Sequence, residues 1–547
     1  MTIGIGPSSA EPLTVRRAAR VLATAGLAAG VVALPAGAAV ATGPAPSFFA
    51  GCAAPTPTPT VVVGTVSCQE LASPALGGTT AFSYFVPPAC APASGRRCPV
   101  LYLLHGFGGD YTSMLGTAAH PTAWVAALDS GPPVDPHSVA DPWNYSDPAH
   151  WVPRPSLDLV LVAPDGRTVP GGDGPGPDVD GFWVDWNPRY AAGGDEARYR
   201  TAAPGFATDV VDEILPYVES HLPTRPGREW RALAGTSLGG YGSYQLGLAH
   251  PDLWSSLGSV SGALNVLLLP GADPAGAPSP VGVQPPGALP YRPLPGAVGV
   301  LPGSVSPGQA EDVNAATLAL GDPVADQSYY RGRNPRDLVL NARAFRAGRQ
   351  VTELRGFSND AVPRRSADLN SPSGYLIAQG FEALVLDMNL DFQAAVADVG
   401  VSDHYELHPG IHSDAYWNPW LRGQLENQYA SLRHDDGRGD PPPPPDHFDY
   451  RSVQRSFSIW GWRFDVTRPT SEFLELRNVS CRGLTLRGTG EVTLRVPVGC
   501  QTGRNGSRVV HANLGPPMPT DAPAGADATP LYGRTVTVEL APLHGAH

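Results

Sequence analysis

The sequence contains no lysine, and all 37 of its basic residues are arginine. This absence excludes enzymes that form a Schiff base on a lysine and nucleotide-binding loops that place a lysine on a phosphate. The net charge of −13 argues against a role in nucleic-acid binding. Charged residues are sparse, at 16%, whereas 42% of the residues are hydrophobic, which is typical of a globular protein.

The N-terminus has the composition of an export signal. A pair of arginines precedes an apolar, alanine-rich stretch at about 21–39, and residues 36–38 are small enough for cleavage by a signal peptidase. A membrane anchor is the alternative, but the stretch is short and is interrupted by Pro35, so cleavage is favoured. We therefore expect a protein that is secreted or associated with the cell wall.

Cysteine is scarce as well, since only six occur in the sequence. They fall into three pairs of near neighbours: Cys52 with Cys68, Cys90 with Cys98, and Cys481 with Cys500. An even count in local pairs, behind an export signal, predicts three disulfides. A metal site is the alternative, but the sequence has no CxxC motif and no cluster of His and Cys, so we do not expect a metal.

Two proline-rich stretches divide the chain, one alternating Pro with Thr and one containing five consecutive prolines, as is typical of linkers. The predicted organisation is an export signal at 1–39, a linker at 40–60, a catalytic domain at 61–432, a second linker at 433–445 and a β-sandwich-like domain at 446–547. A Pro/Gly-rich stretch at about 265–310 is too long for a simple loop. We interpret it as an insertion near the mouth of the site, either disordered or a lid.

Short apolar runs alternate with helical patterns between the two linkers. The runs predict strands buried on both faces, at 99–104, 157–163, 230–234, 257–260, 351–357 and 404–407. Apolar residues recur at helical spacing at 206–218 and 381–392. The pattern predicts an α/β fold with a mostly parallel sheet, and the later alternating runs predict a small C-terminal all-β domain.

The segment Gly235-Thr236-Ser237-Leu238-Gly239 lies between a predicted strand and a predicted helix, as a nucleophile elbow does. Such an elbow strains the serine backbone so that the hydroxyl stands clear of the sheet, and its glycines let neighbouring backbone come close. A Gly-rich turn with an incidental serine is the alternative. Because strand and helix flank the motif in the right order, it predicts Ser237 as a nucleophile in an α/β-hydrolase core.

A serine nucleophile needs an acid and a histidine, which follow it in that order in this fold. His412 lies in a loop between the last predicted strand and a helix, and it is the expected base, with His408 as the fallback. Asp360 follows the strand at 351–357 and is the expected acid, because it can fix the imidazole tautomer. Asp368 is the runner-up.

Two backbone N–H groups must hold the oxyanion. One belongs to Leu238, the residue after the nucleophile, and the other is assigned to Phe107 in the Gly-rich loop after the first core strand. His105, which opens this loop, comes too early to be the base and is interpreted as a structural ligand of the loop. The aromatic residues Phe182, Trp183, Trp186 and Trp417 either line a pocket for an acyl or sugar group or pack in the core.

These motifs together resemble the esterase D and antigen 85 mycolyltransferase family. The resemblance covers about 100–432 and rests on the His105-Gly106 loop, the Asp185-Trp186 pair, the Ser237 elbow, and His412-Ser413 with Tyr416-Trp417. It implies an α/β-hydrolase without a cofactor and a triad of Ser237, His412 and an acid near Asp360, although the acid in the family is usually glutamate. It also suggests a substrate-binding set of His105, Asp185, Trp186 and Trp417.

The family contains carboxylesterases, feruloyl-type esterases, formylglutathione hydrolases, and transferases that move mycolyl groups onto trehalose. The mycolyltransferases carry Asp-Gly-Leu-Arg where this chain has His105-Gly106-Phe107-Gly108, so the arginine and aspartate that help to hold trehalose are missing. The expected function is therefore a secreted serine esterase that acts on carboxylic esters, with lipid or glycan esters among the possible substrates.

Two other functions are carried as alternatives. The first is an acyltransferase of the mycolyltransferase type, which moves an acyl chain onto a sugar or lipid hydroxyl. The second is an inactive hydrolase core that binds the cell wall or a glycan through its C-terminal domain.

Overall fold

The structure is a computed structural model. It describes residues 49, 51–53, 60–133, 145–167, 180–187, 204–266, 319–320, 327–344, 351–359, 372–401, 404–432, 446–468, 472–500, 509–516 and 534–540, with only the backbone for 327, 351–359, 372–377 and 499. The predicted export signal, most of the first linker, nearly all of the insertion and the second linker lie outside these residues. The domain boundaries that depend on them stay predictions.

Ten strands belong to the catalytic domain: β1 (Val66–Ser73), β2 (Gly78–Phe85), β3 (Val100–Leu104), β4 (Ser130–Gly131), β5 (Val152–Pro153), β6 (Val160–Pro164), β7 (Arg231–Thr236), β8 (Ser256–Val260), β9 (Val351–Asn359) and β10 (His404–Gly410). β4 and β5 pair with each other, and the other eight form one sheet in the order β1-β2-β6-β3-β7-β8-β9-β10. The last six strands of this order, β6-β3-β7-β8-β9-β10, pair in parallel. β2 pairs antiparallel with both of its neighbours, β1 and β6. The six parallel strands are those that the apolar runs predict, so the predicted α/β fold is confirmed.

Helices cover both faces of the sheet. They are α1 (Ala123–Ala126), α2 (Phe206–Thr208), α3 (Leu215–His221), α4 (Leu238–Ala249), α5 (Gln327–Arg331), α6 (Pro335–Leu338), α7 (Pro372–Asp398) and α8 (Asp414–Leu432). A π-helical turn, Asp209–Ile214, joins α2 to α3, and short 3₁₀ turns occupy Pro88–Cys90, Pro92–Ser94, Pro148–His150, Arg228–Trp230, Val339–Ala344 and Val498–Cys500.

The central strand β3 shows why its sequence is apolar throughout. Tyr102 and Leu104 belong to the core under α3 and α4, whereas Leu101 and Leu103 belong to the core under α1 and α8. Successive side chains of a strand point to opposite faces, so a strand with helices on both sides has no position for a polar residue. The carboxyl ends of the parallel strands then meet at one edge of the sheet, which is where ligands bind in open α/β sheets.

The C-terminal region is all β. Its strands are β11 (Phe448–Ser452), β12 (Ser456–Ile459), β13 (Trp462–Thr467), β14 (Leu474–Ser480), β15 (Gly483–Gly488), β16 (Glu491–Arg495), β17 (Val509–Asn513) and β18 (Arg534–Glu539). They form two antiparallel sheets, β11-β14-β15-β18 and β12-β13-β16-β17, around one apolar core. The alternation in β12, where Phe457 and Ile459 are buried and Ser456 and Ser458 are exposed, is the pattern that predicts an all-β domain.

The three predicted disulfides are confirmed. Cys52–Cys68, Cys90–Cys98 and Cys481–Cys500 are bonded, with Cα–Cα distances of 4.8, 5.9 and 4.8 Å. Disulfides persist in oxidising compartments, so three of them suggest an extracellular protein. Within the described residues, each helix is too short or too polar to cross a bilayer.

Trp460 contacts the catalytic domain from the β region through two hydrogen bonds and a cation–π contact. It lies at the tip of the β12–β13 hairpin with a φ of +50°. Its backbone N–H donates to the carboxylate of Asp252 at 3.0 Å, and its indole Nε1–H donates to the carbonyl of Ala344, also at 3.0 Å. The guanidinium of Arg228 lies 5.4 Å from the centre of the ring. These contacts join the hairpin to the region around the end of α4.

Replacing Trp460 with alanine is expected to lower the free energy of unfolding by about 2 kcal/mol, because a half-buried ring, a hydrogen bond and a cation–π contact are lost together. Urea denaturation followed by tryptophan fluorescence measures the change. Arg463→Ala, an exposed change on the same hairpin, is the matched control. Equal midpoints for the two variants would contradict the role of Trp460.

Candidate active site

Ser237 lies between β7 and α4 in a strained turn, with φ +53° and ψ −118°. Few residues other than glycine adopt a positive φ, so the surrounding structure must impose it. A Cβ at Gly239 would collide with the carbonyl oxygen of Leu104, so only glycine fits between the elbow and β3. The backbone N–H of Ser237 donates to the carbonyl of Val260 at 2.9 Å. The predicted elbow therefore has the geometry that exposes a serine hydroxyl.

The structure brings His412 to this serine. Its Nε2 lies 2.7 Å from Oγ of Ser237, although the two residues are far apart in sequence. The loop between β10 and α8 carries the histidine, and the N–H of His412 donates to the carbonyl of Ala378 at 3.2 Å. His408, the fallback, is buried and stacks on Trp420 with a ring separation of 3.6 Å.

The carboxylate at His412 belongs to Glu382 rather than to Asp360. Oε2 of Glu382 lies 2.9 Å from Nδ1 of His412, and the glutamate is fully buried. Glu382 projects from α7, whereas the prediction looked for an acid directly after β9. This contact corrects the expected acid, because Nδ1 has one hydrogen and Glu382 accepts it. Asp360 and Asp368 both lie outside the described residues.

These contacts fix the tautomer of the neutral His412 imidazole. With its Nδ1–H donated to Glu382, the neutral ring presents a lone pair on Nε2 to the hydroxyl of Ser237. A second acid, Asp414, begins α8 two residues after the histidine. Burial raises the pKa of the Asp414 carboxyl, and the neighbouring His412 opposes that rise. The arrangement can accept a proton from a serine that attacks an electrophile.

The loop after β3 passes directly beside the nucleophile. A Cβ at Gly106 would lie 3.2 Å from Cβ of Ser237. The N–H of Gly108 donates to the carboxylate of Asp180 at 2.8 Å, which fixes the far side of the loop. Leu238 is the first residue of α4, and an N–H at that position has no acceptor within its helix. Phe107 and Leu238 therefore flank Ser237, and their role as oxyanion donors stays a prediction.

Both ring nitrogens of His105 form hydrogen bonds within the protein. Its Nε2 accepts the N–H of Gly166 at 2.9 Å, and its Nδ1–H donates to the carbonyl of Gly106 at 2.8 Å. Burial lowers the pKa of His105, which favours the neutral ring that this pair of bonds requires. These bonds support the interpretation of His105 as a ligand of the loop, and its place among the substrate-binding residues stays a prediction.

Asp185 and Trp186 hold structure together as well. The two carboxylate oxygens of Asp185 accept the N–H and the hydroxyl of Thr208, each at 3.0 Å. Trp186 is buried, and its Nε1–H donates to the carbonyl of Gly181 at 3.1 Å. These contacts give both residues a structural role, and their role at the substrate stays a prediction. The contacts of Asp185 stabilise α2, and the indole of Trp186 packs in the core.

Trp417 is the aromatic residue of the predicted set that contacts the triad. Its ring packs edge-on against that of His412, with the ring centres 4.9 Å apart. Phe182 and Trp183 are buried at positive φ, which fits the core-packing alternative. Phe381, which the sequence did not single out, lies 6.0 Å from the ring of His412 and is 38% exposed. In the part of the chain that the structure describes, no three His, Cys, Asp or Glu side chains cluster so that they could hold a metal ion.

The chain is similar to a protein family and to several solved structures. A family model described as "Putative esterase" matches residues 178–427. Similar solved structures include a ferulic acid esterase (15% identity, 67% of this chain and 98% of that chain, TM-score 0.36). An S-formylglutathione hydrolase from Agrobacterium tumefaciens (15%, 68% and 98%, TM-score 0.39) and MPT51 from Mycobacterium tuberculosis (14%, 66% and 97%, TM-score 0.38) are also among them. The matched segment contains Ser237, Glu382 and His412, so the resemblance to the esterase family is confirmed and the chain is a serine ester hydrolase or acyltransferase.

Proposed function

We propose that the chain is a serine esterase that hydrolyses carboxylic esters outside the cytoplasm, with Ser237 as nucleophile, His412 as base and Glu382 as the acid that orients it. One observation carries the proposal. Hydrogen-bond distances of 2.7 and 2.9 Å join the serine hydroxyl, the imidazole and the carboxylate in an unbroken line. The three disulfides support the extracellular location.

The first half of the reaction acylates the enzyme. Oγ of Ser237 attacks the ester carbonyl while its proton moves to Nε2 of His412, and Glu382 stabilises the imidazolium that forms. The N–H groups of Leu238 and Phe107 hold the tetrahedral oxyanion. His412 then gives the proton to the leaving alcohol as the carbon–oxygen bond breaks. An acyl group remains on Ser237.

The second half repeats these steps with a different nucleophile. Water loses a proton to His412 and attacks the acyl carbonyl, and His412 returns the proton to Ser237 as the free acid leaves. An alcohol in place of water gives a new ester, which is the acyltransferase alternative. The same triad serves both outcomes, so the surroundings of the triad decide between them.

Those surroundings favour apolar ester groups over a sugar acceptor. Phe107 is 44% exposed in the loop beside Ser237, and Phe381 is 38% exposed beside His412. Exposed aromatic rings on segments next to the triad can bury acyl or aryl groups and offer no hydrogen bonds to sugar hydroxyls. The aspartate and arginine of the mycolyltransferase loop are missing here. Association with lipid, glycan or the cell wall stays a prediction.

Product partition tests the proposal. With p-nitrophenyl esters of rising chain length, we expect free acid as the main product, and we expect added trehalose or glycerol to divert little of the acyl group. Chromatography of acid and new ester measures the ratio, and the release of p-nitrophenol measures turnover. Enzyme with Ser237→Ala gives the background. New ester as the main product at millimolar acceptor would replace the esterase by an acyltransferase.

A further inference from the structure

The turn that follows β8 contacts the triad at its acidic end. Ser261 is fully buried, and its Oγ–H lies 2.9 and 3.0 Å from the two carboxylate oxygens of Glu382. Its backbone has a φ of +50°. Because a serine in this conformation is strained and a glycine would not be, the hydroxyl itself is the feature to explain.

The same turn contacts the nucleophile. The carbonyl of Val260 accepts the N–H of Ser237 at 2.9 Å. A Cβ at Gly262 would collide with Oγ of Ser259 and would lie 2.8 Å from the carbonyl carbon of Gly240 in α4. The turn is therefore held tightly against the elbow helix. Two consecutive residues, Val260 and Ser261, link the backbone of the nucleophile to the side chain of the acid.

We propose that Ser261 is a positioning residue, which fixes the Glu382 carboxylate in the plane and at the distance that His412 requires. The inference rests on the proposed function. A buried carboxylate needs hydrogen-bond donors, and Glu382 has the imidazole on Oε2 and the Ser261 hydroxyl shared between both oxygens. Without the hydroxyl, the carboxylate is free to rotate away from Nδ1 of His412.

Two substitutions separate the hydroxyl from the backbone. Ser261→Ala removes the hydroxyl and keeps the strained φ, whereas Ser261→Gly removes the hydroxyl and relieves the strain. We expect each to lower kcat about tenfold with little change in KM, as for the loss of a hydrogen bond to a charged group that matters in the transition state. If Ser261→Gly keeps wild-type kcat, the hydroxyl has no positioning role.

A double-mutant cycle shows whether Ser261 acts through the acid. In a Glu382→Ala background there is no carboxylate to orient, so adding Ser261→Ala is expected to change kcat by less than about twofold. The full tenfold loss in that background would overturn the proposal and mark a merely structural effect. Thermal unfolding of each variant identifies any that fails to fold, and the glycine variant then decides on its own.

The same variants distinguish a failure of the proposed function from a failure of the role of Ser261. Retained activity in Ser237→Ala and Glu382→Ala would defeat the proposed function and the role of Ser261 together. A large loss of kcat in Ser237→Ala and Glu382→Ala together with unchanged kcat in both Ser261 variants would defeat the role of Ser261 alone.

Discussion

Replacing Ser237 with alanine is expected to lower kcat for a p-nitrophenyl ester by on the order of 10⁵-fold, because the acyl-enzyme can no longer form. The fold should survive, since the methyl group occupies the place of Cβ and the backbone N–H of residue 237 keeps its bond to Val260. A residual rate above that of water is expected, because the backbone N–H groups around the oxyanion remain. Initial rates and covalent labelling by a fluorophosphonate probe measure the effect.

Ser94→Ala is the matched control for this experiment. Ser94 is an exposed serine in a 3₁₀ turn, and its hydroxyl bonds only to the nearby backbone there. Its replacement should leave both the rate and the labelling unchanged. Equal labelling of wild type and Ser237→Ala would show that another residue reacts with the probe, and an unlabelled wild type would favour the inactive-core alternative.

The nucleophile and the base could be predicted because their signals are local or follow chain order. An elbow needs a strand, a glycine, a serine, a glycine and a helix in immediate succession, and residues 230–246 supply them in that order. His412 follows from the position of a loop after the last strand. The parallel strands could also be predicted from the sequence, since burial on both faces leaves apolar residues at nearly every position of strands such as β3.

The acid, Glu382, could not be predicted from a local sequence signal or from chain order. Glu382 lies in the interior of a long helix, and only the tertiary approach of α7 to the loop after β10 places it on His412. Two signals pointed to it. The related family usually has a glutamate as its acid, and a charged residue interrupts the apolar stretch that begins at Phe381. A fully buried carboxylate needs a partner, so such an interruption marks a candidate.

The edge strands and the Asp185-Trp186 pair were also hard to predict from the sequence. β1 contains Gln69 and Glu70, which are buried, so its sequence lacks the apolar run by which the inner strands were found. The pair Asp185-Trp186 was recognised as a motif, but a motif does not say which way its side chains point. Here the carboxylate binds Thr208 and the indole lies in the core, so the pair supports the fold around the site.

Replacing Glu382 with glutamine is expected to lower kcat by about 10⁴-fold, the loss seen when the acid of a serine triad becomes an amide. The amide has nearly the shape of the carboxylate, so the variant should fold, and its NH₂ can donate where the carboxylate accepts. His412 would then be held with its hydrogen on Nε2, and it could no longer take the proton of Ser237. KM should change little, because Glu382 is fully buried and does not reach the substrate.

Asp360→Asn is the matched comparison for Glu382→Gln. Asp360 is the acid that the sequence suggested, and Glu382 is the acid that the structure brings to His412. The change is of the same kind, an acid to its amide, and it should leave kcat within about twofold of wild type. Steady-state rates on one p-nitrophenyl ester, with fluorophosphonate labelling as a second readout, measure both variants. A large loss in Asp360→Asn together with a small loss in Glu382→Gln would return the acid to Asp360. The contact of 2.9 Å between Glu382 and His412 argues for the opposite result, because a charge buried at that distance from the base stabilises the imidazolium in both halves of the reaction.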